Sequence, residues 1–356
     1  EDQKLDSWLK ETIWPLEAKL RPLDVYHGAL LSCLEMIKSG TTCFSDMYFY
    51  EEMVAKAVEE SGMRAALASG IIEAGDAEKG EMMLKESIKI AKQLQGRADG
   101  RIIAKIGPHT AYTCSLSLLK RVREAASTLR VGIHIHLAES EDSSKIIEDR
   151  YGRGEIGLLD GIGFLGPDVL AAHCIHISRE DIALLAKRDV KVVYNPVANM
   201  KLASGMARVK ELLDAGITVG LGTDGPASNN SLDMFETMKV AALLQKTLYK
   251  DPTVLPTRMV LELATIKGAT ALGIDRLVGS LEPGKRADIV LVDMNKPHLT
   301  PLHDEYACLV YSARGSDVET VIINGKIVME DREVKTLDEE EVMRKGKETA
   351  QDLLNR

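Results

Sequence analysis

The feature that most constrains the fold is the regular alternation of short apolar stretches with longer amphipathic stretches between residues 41 and 272. Each short stretch indicates a buried strand, and each longer one carries apolar residues at helical spacing. Strands that alternate with helices predict a parallel sheet joined by right-handed crossovers. The predicted strands are Thr41–Met47, Met63–Gly70, Arg101–Thr110, Val131–Glu139, Val169–His176, Val190–Ala198 and Ile217–Asp224.

The number of predicted strands favours an incomplete barrel. A (β/α)8 barrel of the TIM type has eight strands, and only seven are predicted here. We therefore expect such a barrel lacking its first strand in this sequence. An open, doubly wound sheet is the alternative, and it needs no missing strand. It gives no reason, however, for polar residues at the ends of several different strands.

The sequence changes character near residue 275. Residues 1–275 are predicted to form the barrel, and residues 276–356 a small β portion with a terminal helix. Turn signals and apolar runs dominate the start of this second part, and Asn324–Gly325 is expected to form the turn of a hairpin. The charged stretch Leu337–Arg356 is predicted to be a solvated helix.

Two histidines share one predicted strand. In the stretch VGIHIHLAES at residues 131–140, His134 and His136 are two residues apart, and Glu139 follows. Side chains two apart in a strand point to the same face. Both imidazoles therefore face one space, although a buried core histidine is the alternative for each.

Other predicted strands also end in polar residues. His109, His173 and Asp224 lie at or near the C-terminal ends of three of them. A barrel keeps its active site at the C-terminal ends of its strands. Histidines and carboxylates gathered at that end predict a metal-dependent hydrolytic site.

Composition excludes several partners. The net charge is −9, and aromatic residues make up only 4% of the chain, which argues against a nucleic-acid surface. No apolar run reaches the roughly eighteen residues of a membrane span. The five scattered cysteines indicate a reduced, cytoplasmic protein. A homo-oligomer is compatible with the sequence, and a small molecule is the expected partner.

The order of motifs resembles a known family. GPHTAY, HIHLAE, AHC, NPVANMKL and GTDGPASNNS occur in this order, with IWPLEAKL, TTCFSDMYF and GSLEPGKRADIVLVD around them. They resemble the amidohydrolase superfamily, most closely its 5′-methylthioadenosine/S-adenosylhomocysteine deaminases.

The resemblance implies zinc-dependent deamination of an adenosine derivative to the inosine derivative and ammonia. The derivatives are 5′-methylthioadenosine, S-adenosylhomocysteine and 5′-deoxyadenosine. One zinc ion per subunit is implied, with Fe²⁺ or another divalent metal as an alternative. An activity of the guanine deaminase or triazine hydrolase type is the alternative function.

The resemblance also assigns catalytic and metal-binding roles. It implies that His136 and Asp224 bind zinc, and that Asp224 takes a proton from the attacking water. Glu139 is implied to carry a proton to the purine ring nitrogen beside the attacked carbon. His173 is implied to orient that water.

Further residues are implied to contact the substrate. They are Glu17, His109 and Ser228, which join Glu139, His173 and Asp224 there. Glu17 is implied to hold the ribose hydroxyls.

The chain departs from the family pattern in two ways. The family's first strand carries a His-x-His pair that supplies two further zinc ligands, and this sequence begins after the matching position. A non-catalytic fragment is therefore another alternative, and His134 is expected to face the lumen without binding metal. Some family members also use arginines for a substrate carboxylate, where this chain has Ser69 and an arginine-free EKGEMM loop.

Overall fold

The larger sheet is parallel and follows the order of the chain. The computed structural model describes residues 2–3 and 5–356. The sheet has the strand order β1 to β7, and each strand is parallel to its neighbours. Its strands are β1 (Cys43–Tyr48), β2 (Arg64–Ile71), β3 (Ile102–Pro108), β4 (Gly132–Leu137), β5 (Val169–His173), β6 (Lys191–Tyr194) and β7 (Val219–Leu221).

Helices occupy most of the connections between these strands. Before β7 they are α1 (Leu5–Ser7), a π-helix (Trp8–Ile13), α2 (Trp14–Glu17), α3 (Pro22–Lys38), α4 (Glu51–Ser61), α5 (Ala77–Leu94), α6 (Arg97–Gly100), α7 (Leu116–Leu129), α8 (Glu141–Tyr151), α9 (Glu155–Gly161), α10 (Arg179–Lys187), α11 (Pro196–Lys201) and α12 (Val209–Asp214). After β7 they are α13 (Pro226–Asn229), α14 (Met234–Tyr249), α15 (Thr257–Ala264), α16 (Ile266–Leu272), α17 (Glu305–Ala307) and α18 (Glu339–Asn355).

Side-chain caps begin many of these helices. Asp76, Ser115, Ser140, Ser178 and Asp233 each accept a hydrogen bond from a backbone N–H in the first turn of the helix that follows. Such a cap satisfies donors that a helix start leaves free, and replacing it by alanine typically costs about 1 kcal/mol. The sequence thus fixes where the chain turns from loop into helix.

The sequential strand order decides between the two predicted architectures. A doubly wound sheet reverses its order at a switch point, whereas here the order runs from β1 to β7 without reversal. The doubly wound alternative is therefore wrong, and the sheet is a parallel half-barrel of seven strands. Within residues 2–3 and 5–356 no strand joins β7 to β1. The expectation of a missing first strand stays a prediction.

A small antiparallel sheet follows the half-barrel. It consists of β8 (Ile289–Val292), β9 (Val318–Ile323), β10 (Lys326–Glu330) and β11 (Glu333–Val334), in the order β11-β10-β9-β8. Asn324 and Gly325 both have positive φ angles and turn the chain between β9 and β10, which confirms the predicted hairpin.

The small sheet and the half-barrel share one hydrophobic core. Val318 and Val321 of β9 belong to the same buried cluster as Ile133 of β4 and Leu67 of β2. Helix α18 packs on α3. A domain division at residue 275 stays a prediction.

One predicted boundary needs correction. The strand predicted as Val190–Ala198 ends at Tyr194, because Pro196 begins α11 and proline suits a first helical turn. The Gly-rich stretch after Tyr151 contains α9, for which no helix was predicted. Thr265 separates α15 from α16, because its backbone leaves the helical region.

No helix in the described part of the chain is long and apolar enough to cross a membrane.

Candidate active site

The predicted site residues meet at one end of the half-barrel. In a parallel sheet the C-terminal ends of all strands lie at the same edge, so residues that follow different strands become neighbours. A cavity of about 1140 Å³ opens there. It is lined by all the predicted site residues: Glu17, His109, His136, Glu139, His173, Asp224 and Ser228.

The cavity is larger than the roughly 300–1,000 Å³ of a typical small-molecule site. Residues of both edge strands, β1 and β7, line it, together with Ile289 and Val290 of β8. The cavity therefore extends from the polar site along the open side of the half-barrel.

His136 is held as a neutral imidazole with one free nitrogen. Its Nδ1 lies 2.9 Å from the carbonyl oxygen of His109, so Nδ1–H donates and Nε2 keeps its lone pair. Burial lowers the pKa of His136, and the neighbouring His173 lowers it further. A neutral ring whose second nitrogen is fixed by a hydrogen bond is the usual form of a metal-binding histidine.

His173 lies between a carboxylate and an amide. Its Nε2 is 3.6 Å from Oε1 of Glu139, and its Nδ1 is 2.8 Å from Oδ1 of Asn199. Its ring stacks on that of His136 with centroids 5.6 Å apart. Burial alone lowers the pKa of His173, but the carboxylates of Glu139 and Asp224 and the bond to Asn199 outweigh burial and raise it.

The backbone around these residues is strained. Ala138, His173 and Asp224 have φ angles of +47°, +73° and +65°, which residues other than glycine rarely adopt. Each such residue costs of the order of 1–3 kcal/mol, and such residues cluster at functional sites. The strain coincides with the ends of three strands whose side chains line the cavity.

Asp224 and Ser228 form the side of the site that follows β7. Oδ1 of Asp224 accepts a hydrogen bond of 2.7 Å from the N–H of Gly225, and its charge acts on His136 and His173. Ser228 is buried and donates to the carbonyl of Gly225 at 3.0 Å.

His109 and Glu17 approach the cavity from other elements. The ring of His109 is 5.1 Å from that of His136, and its Nδ1 is 3.1 Å from Oγ1 of Thr113. Burial, with smaller contributions from two neighbouring histidines, lowers the pKa of His109 to about 3. Burial raises the pKa of Glu17, and a hydrogen bond to Tyr48 partly offsets this.

His134 lines the same cavity, and the expectation that it binds no metal stays a prediction. Its Nδ1 is 3.4 Å from Oγ of Ser45, and its ring is 5.8 Å from that of His136. Burial is the first of several causes that hold the pKa of His134 well below its usual value.

Sequence reasoning missed two residues that contact the site residues. Asn199 holds His173, and Tyr48 holds Glu17. Asn199 lies in α11, whose first three residues were predicted as the end of a strand, so its orientation could not be derived. Tyr48 ends β1, and nothing in the sequence separates it from a core aromatic residue.

Ser69 is not among the described residues that line the cavity. The cavity is lined instead by Gly70 and Ile72 of the same segment, because alternate residues of a strand face opposite sides. The carbonyl of Ser69 accepts from Ser87 on the helical side. Ser69 therefore carries no information about the substrate's tail.

Only part of a metal site is present. Nε2 of His136 and the carboxylate of Asp224 are donor types that zinc accepts. Among the residues that the structure describes, however, no three or more His, Cys, Asp or Glu side chains are arranged to hold a metal ion. Catalytic zinc normally has three protein ligands, so these two residues fit one part of its coordination shell.

Comparison with protein families identifies the chain. The model of the amidohydrolase family matches residues 1–328. The chain belongs to the amidohydrolase family. This membership confirms the resemblance seen in the sequence and the predicted class of metal-dependent hydrolase.

Relatives within the amidohydrolase family are similar over the whole chain. A 5′-deoxyadenosine deaminase of Methanosarcina acetivorans is 52% identical, and the match covers 100% of this chain and 82% of the relative. A 5-methylthioadenosine/S-adenosylhomocysteine deaminase of Pelotomaculum thermopropionicum is 51% identical with the same coverage.

A solved amidohydrolase structure shares the fold. The crystal structure of an adenosine deaminase from Xanthomonas campestris with bound zinc has a TM-score of 0.94 and 33% identity. The match covers 100% of this chain and 81% of that one.

Proposed function

We propose that the protein catalyses the zinc-dependent hydrolytic deamination of an adenosine derivative to the inosine derivative and ammonia. The observation that carries this proposal is the convergence of His136, Glu139, His173 and Asp224 on one cavity at the C-terminal ends of the strands. The names of the two relatives described above agree with it, as does the function predicted from the sequence.

His136 and Asp224 would hold the metal ion, through Nε2 and a carboxylate oxygen. When bound, zinc supplies positive charge that lets a water molecule lose a proton near pH 7. Fe²⁺ or another divalent ion could supply the same charge. The remaining ligands are expected from a His-x-His pair, which stays a prediction.

The protein's own groups then move the protons. Water forms a bond to the amidine carbon of the purine, and the bond from that carbon to the exocyclic nitrogen breaks. Asp224 accepts one proton of the water and later passes it to the exocyclic nitrogen, which leaves as ammonia. Glu139 carries the other proton of the same water to the adjacent ring nitrogen, so one water molecule is consumed for each ammonia released.

His173 directs the attack. With Nδ1–H bound to Asn199, its Nε2 faces Glu139 and the cavity as a hydrogen-bond acceptor. An acceptor at this place orients the attacking water towards the purine carbon. Because His173 is buried, bulk water is kept from its ring, which strengthens its polar contacts with Asn199 and Glu139.

Glu17, His109 and Ser228 would position the nucleoside. Glu17 is half-buried, and Tyr48 holds its carboxylate. Two carboxylate oxygens can accept hydrogen bonds from two ribose hydroxyls. His109 and Ser228 line the same cavity and are placed to contact the base and the sugar.

The charge of the cavity disfavours an anionic substituent at the 5′ position. Six carboxylates of the described residues line it: Asp24 and Asp288, which pair with Arg356 and Arg64, and Glu17, Asp46, Glu139 and Asp224. A divalent ion offsets two of the charges that the last four can carry. Like charges brought together at a binding surface cost several kcal/mol, so neutral derivatives such as 5′-deoxyadenosine and 5′-methylthioadenosine are the expected substrates.

A substrate panel tests the proposal. The zinc-supplemented protein is mixed with 5′-deoxyadenosine, 5′-methylthioadenosine, S-adenosylhomocysteine, adenosine, guanine and a chlorotriazine, and ammonia release is measured. Turnover of the adenosine derivatives supports the proposal. Turnover of guanine or the triazine alone points to the alternative amidohydrolase activities, and no turnover with bound zinc rejects the deaminase assignment.

A further inference from the structure

The side chain that contacts His173 opposite Glu139 belongs to Asn199 in α11. Asn199 is only 1% exposed. Its Oδ1 lies 2.8 Å from Nδ1 of His173. Because an amide oxygen can only accept, Nδ1 of His173 must carry the hydrogen.

We propose that Asn199 is a positioning residue that fixes the tautomer and ring orientation of His173. This proposal rests on the role given above to His173. A neutral imidazole has one donor nitrogen and one acceptor nitrogen. With the hydrogen held on Nδ1, Nε2 is left as the acceptor that faces the cavity.

Without Asn199 the other tautomer becomes favourable. Oε1 of Glu139 lies 3.6 Å from Nε2 of His173, within reach of a hydrogen bond after a small movement. A hydrogen on Nε2 would donate to that carboxylate. Nε2 would then no longer accept from water, and Glu139 would be drawn away from the substrate.

The backbone holds Asn199 firmly. Its N–H donates to the carbonyl of Asn195 at 3.0 Å, and its own carbonyl accepts from the N–H of Ser204 at 2.9 Å. Pro196 begins this short helix with a φ angle already suited to it. The position of the amide is therefore fixed by α11 and not by His173.

The other half of the amide makes no comparable contact. Nδ2 of Asn199 is buried, and within the described part of the chain it has no hydrogen-bond partner. A buried unpaired donor typically costs about 1–3 kcal/mol. The contact that this side chain makes with a site residue is therefore the one from Oδ1 to His173.

Two substitutions test the role of the acceptor oxygen separately from the role of the side-chain volume. Asn199→Leu keeps the volume and removes the acceptor, whereas Asn199→Asp keeps an acceptor at the same place. The matched control is Gln245→Met. Gln245 is also a buried amide, but its Nε2 donates to Tyr194 and to the carbonyl of Ala207, away from the predicted site residues.

The first readout is the tautomer itself. The ¹⁵N chemical shifts of the His173 ring are followed as the pH is raised until they stop changing, so that the neutral ring is observed although its pKa is raised. We expect hydrogen on Nδ1 in the unchanged protein, in Asn199→Asp and in Gln245→Met. Asn199→Leu should move the hydrogen to Nε2 or give a mixture.

The second readout is steady-state kinetics with 5′-deoxyadenosine. Loss of a group that orients a site residue typically lowers activity by about 10- to 100-fold. For Asn199→Leu this loss should appear in kcat, with KM changed less than about threefold and zinc content unchanged. Asn199→Asp should recover most of kcat, and Gln245→Met should leave kcat near that of the unchanged protein.

The outcomes distinguish this proposal from the proposed function. If the unchanged protein deaminates no nucleoside, the proposed function fails, and the ring shifts still decide whether Asn199 sets the tautomer. Hydrogen on Nε2 in the unchanged protein, or the same tautomer in Asn199→Leu, overturns the inference. So does a kcat for Asn199→Leu equal to that of Gln245→Met.

Discussion

At the N-terminal end of the parallel sheet charged side chains pair with each other, whereas at the C-terminal end they face a cavity. Arg64 begins β2 and forms a bidentate bond with Asp288, at 2.8 and 3.0 Å. Arg123 pairs with Asp168, just before β5. His136, Glu139 and Asp224 at the opposite end line the cavity.

The difference separates stability from chemistry within one sheet. The charges at the N-terminal end are paired with protein partners. Substituting them should lower the free energy of unfolding and leave kcat unchanged. At the C-terminal end, His173 and Asp224 have strained backbone, and His136 keeps Nε2 free for a ligand. Substituting them should change the reaction with little loss of stability.

The largest effect is expected from the carboxylates at the C-terminal end. Glu139→Gln and Asp224→Asn each remove a group that moves a proton, so each should lower kcat by about 10²–10⁴-fold. Asp224→Asn should also lower zinc content, since this residue would bind the metal. Glu139→Gln should leave zinc in place. Kinetics and metal analysis of both variants check this, and equal zinc loss in the two would contradict the assigned roles.

Breaking the buried pair of Arg64 and Asp288 at the N-terminal end should lower the stability and leave the reaction unchanged. Both Arg64 and Asp288 have side chains that are 4% exposed. Arg64→Ala leaves the carboxylate buried without its partner, which typically costs about 3–5 kcal/mol. The free energy of unfolding in urea should fall by that amount, while kcat per folded molecule stays unchanged. A lowered kcat with normal stability would remove the distinction between the two ends.

Lys105 should make the stability of the protein depend on pH. Burial lowers its pKa to about 8, although Asp168 partly offsets this. Below pH 8 the folded protein therefore carries a buried charge that the unfolded chain holds in water. The penalty disappears as the pH rises from about 8 towards the ordinary lysine value of about 10.4.

Lys105→Met removes this penalty. A pKa difference of about two units corresponds to about 3 kcal/mol, so the variant should be more stable by up to that amount at pH 7. The gain should shrink above about pH 8 and vanish by about pH 10.4. Urea unfolding at three pH values tests this, and a gain that is the same at all three would contradict the assignment.

The smallest effect is expected at Tyr48. Its hydroxyl bonds to Glu17, the group proposed to hold the ribose. Tyr48→Phe removes one hydrogen bond, worth about 1 kcal/mol. KM should rise several-fold while kcat changes little. A fall in kcat with unchanged KM would place Tyr48 in the chemical step and not in binding.

Much of the fold could be predicted because the parallel strands are short apolar runs with clear ends. β1 to β5 lie within the predicted ranges or pass them by a single residue, at Tyr48 and Ile71. Prediction failed where local signals conflict. α9 follows a Gly-rich stretch, and α11 continues directly from an apolar strand at Pro196. The position of the site at the C-terminal edge of the sheet could be derived from topology alone, because parallel strands have their C-terminal ends at the same edge.

The contacts that orient the side chains of the site could not be predicted. The bond between Asn199 and His173 joins residues 26 positions apart, and its geometry depends on how α11 packs on α13 and α14. The side that Ser69 faces depends on register, and a shift of one residue reverses it. Sequence spacing gives the residues of the site, whereas packing decides which of their atoms remain free.

The most direct test of the account is the deamination of 5′-deoxyadenosine by the zinc-loaded protein, followed by ammonia release and the loss of adenine absorbance. The account predicts one ammonia for each inosine derivative formed. It also predicts lower kcat/KM for adenosine 5′-monophosphate than for adenosine, because the cavity is lined by carboxylates. No ammonia from any adenosine derivative, with zinc shown to be bound, would contradict it.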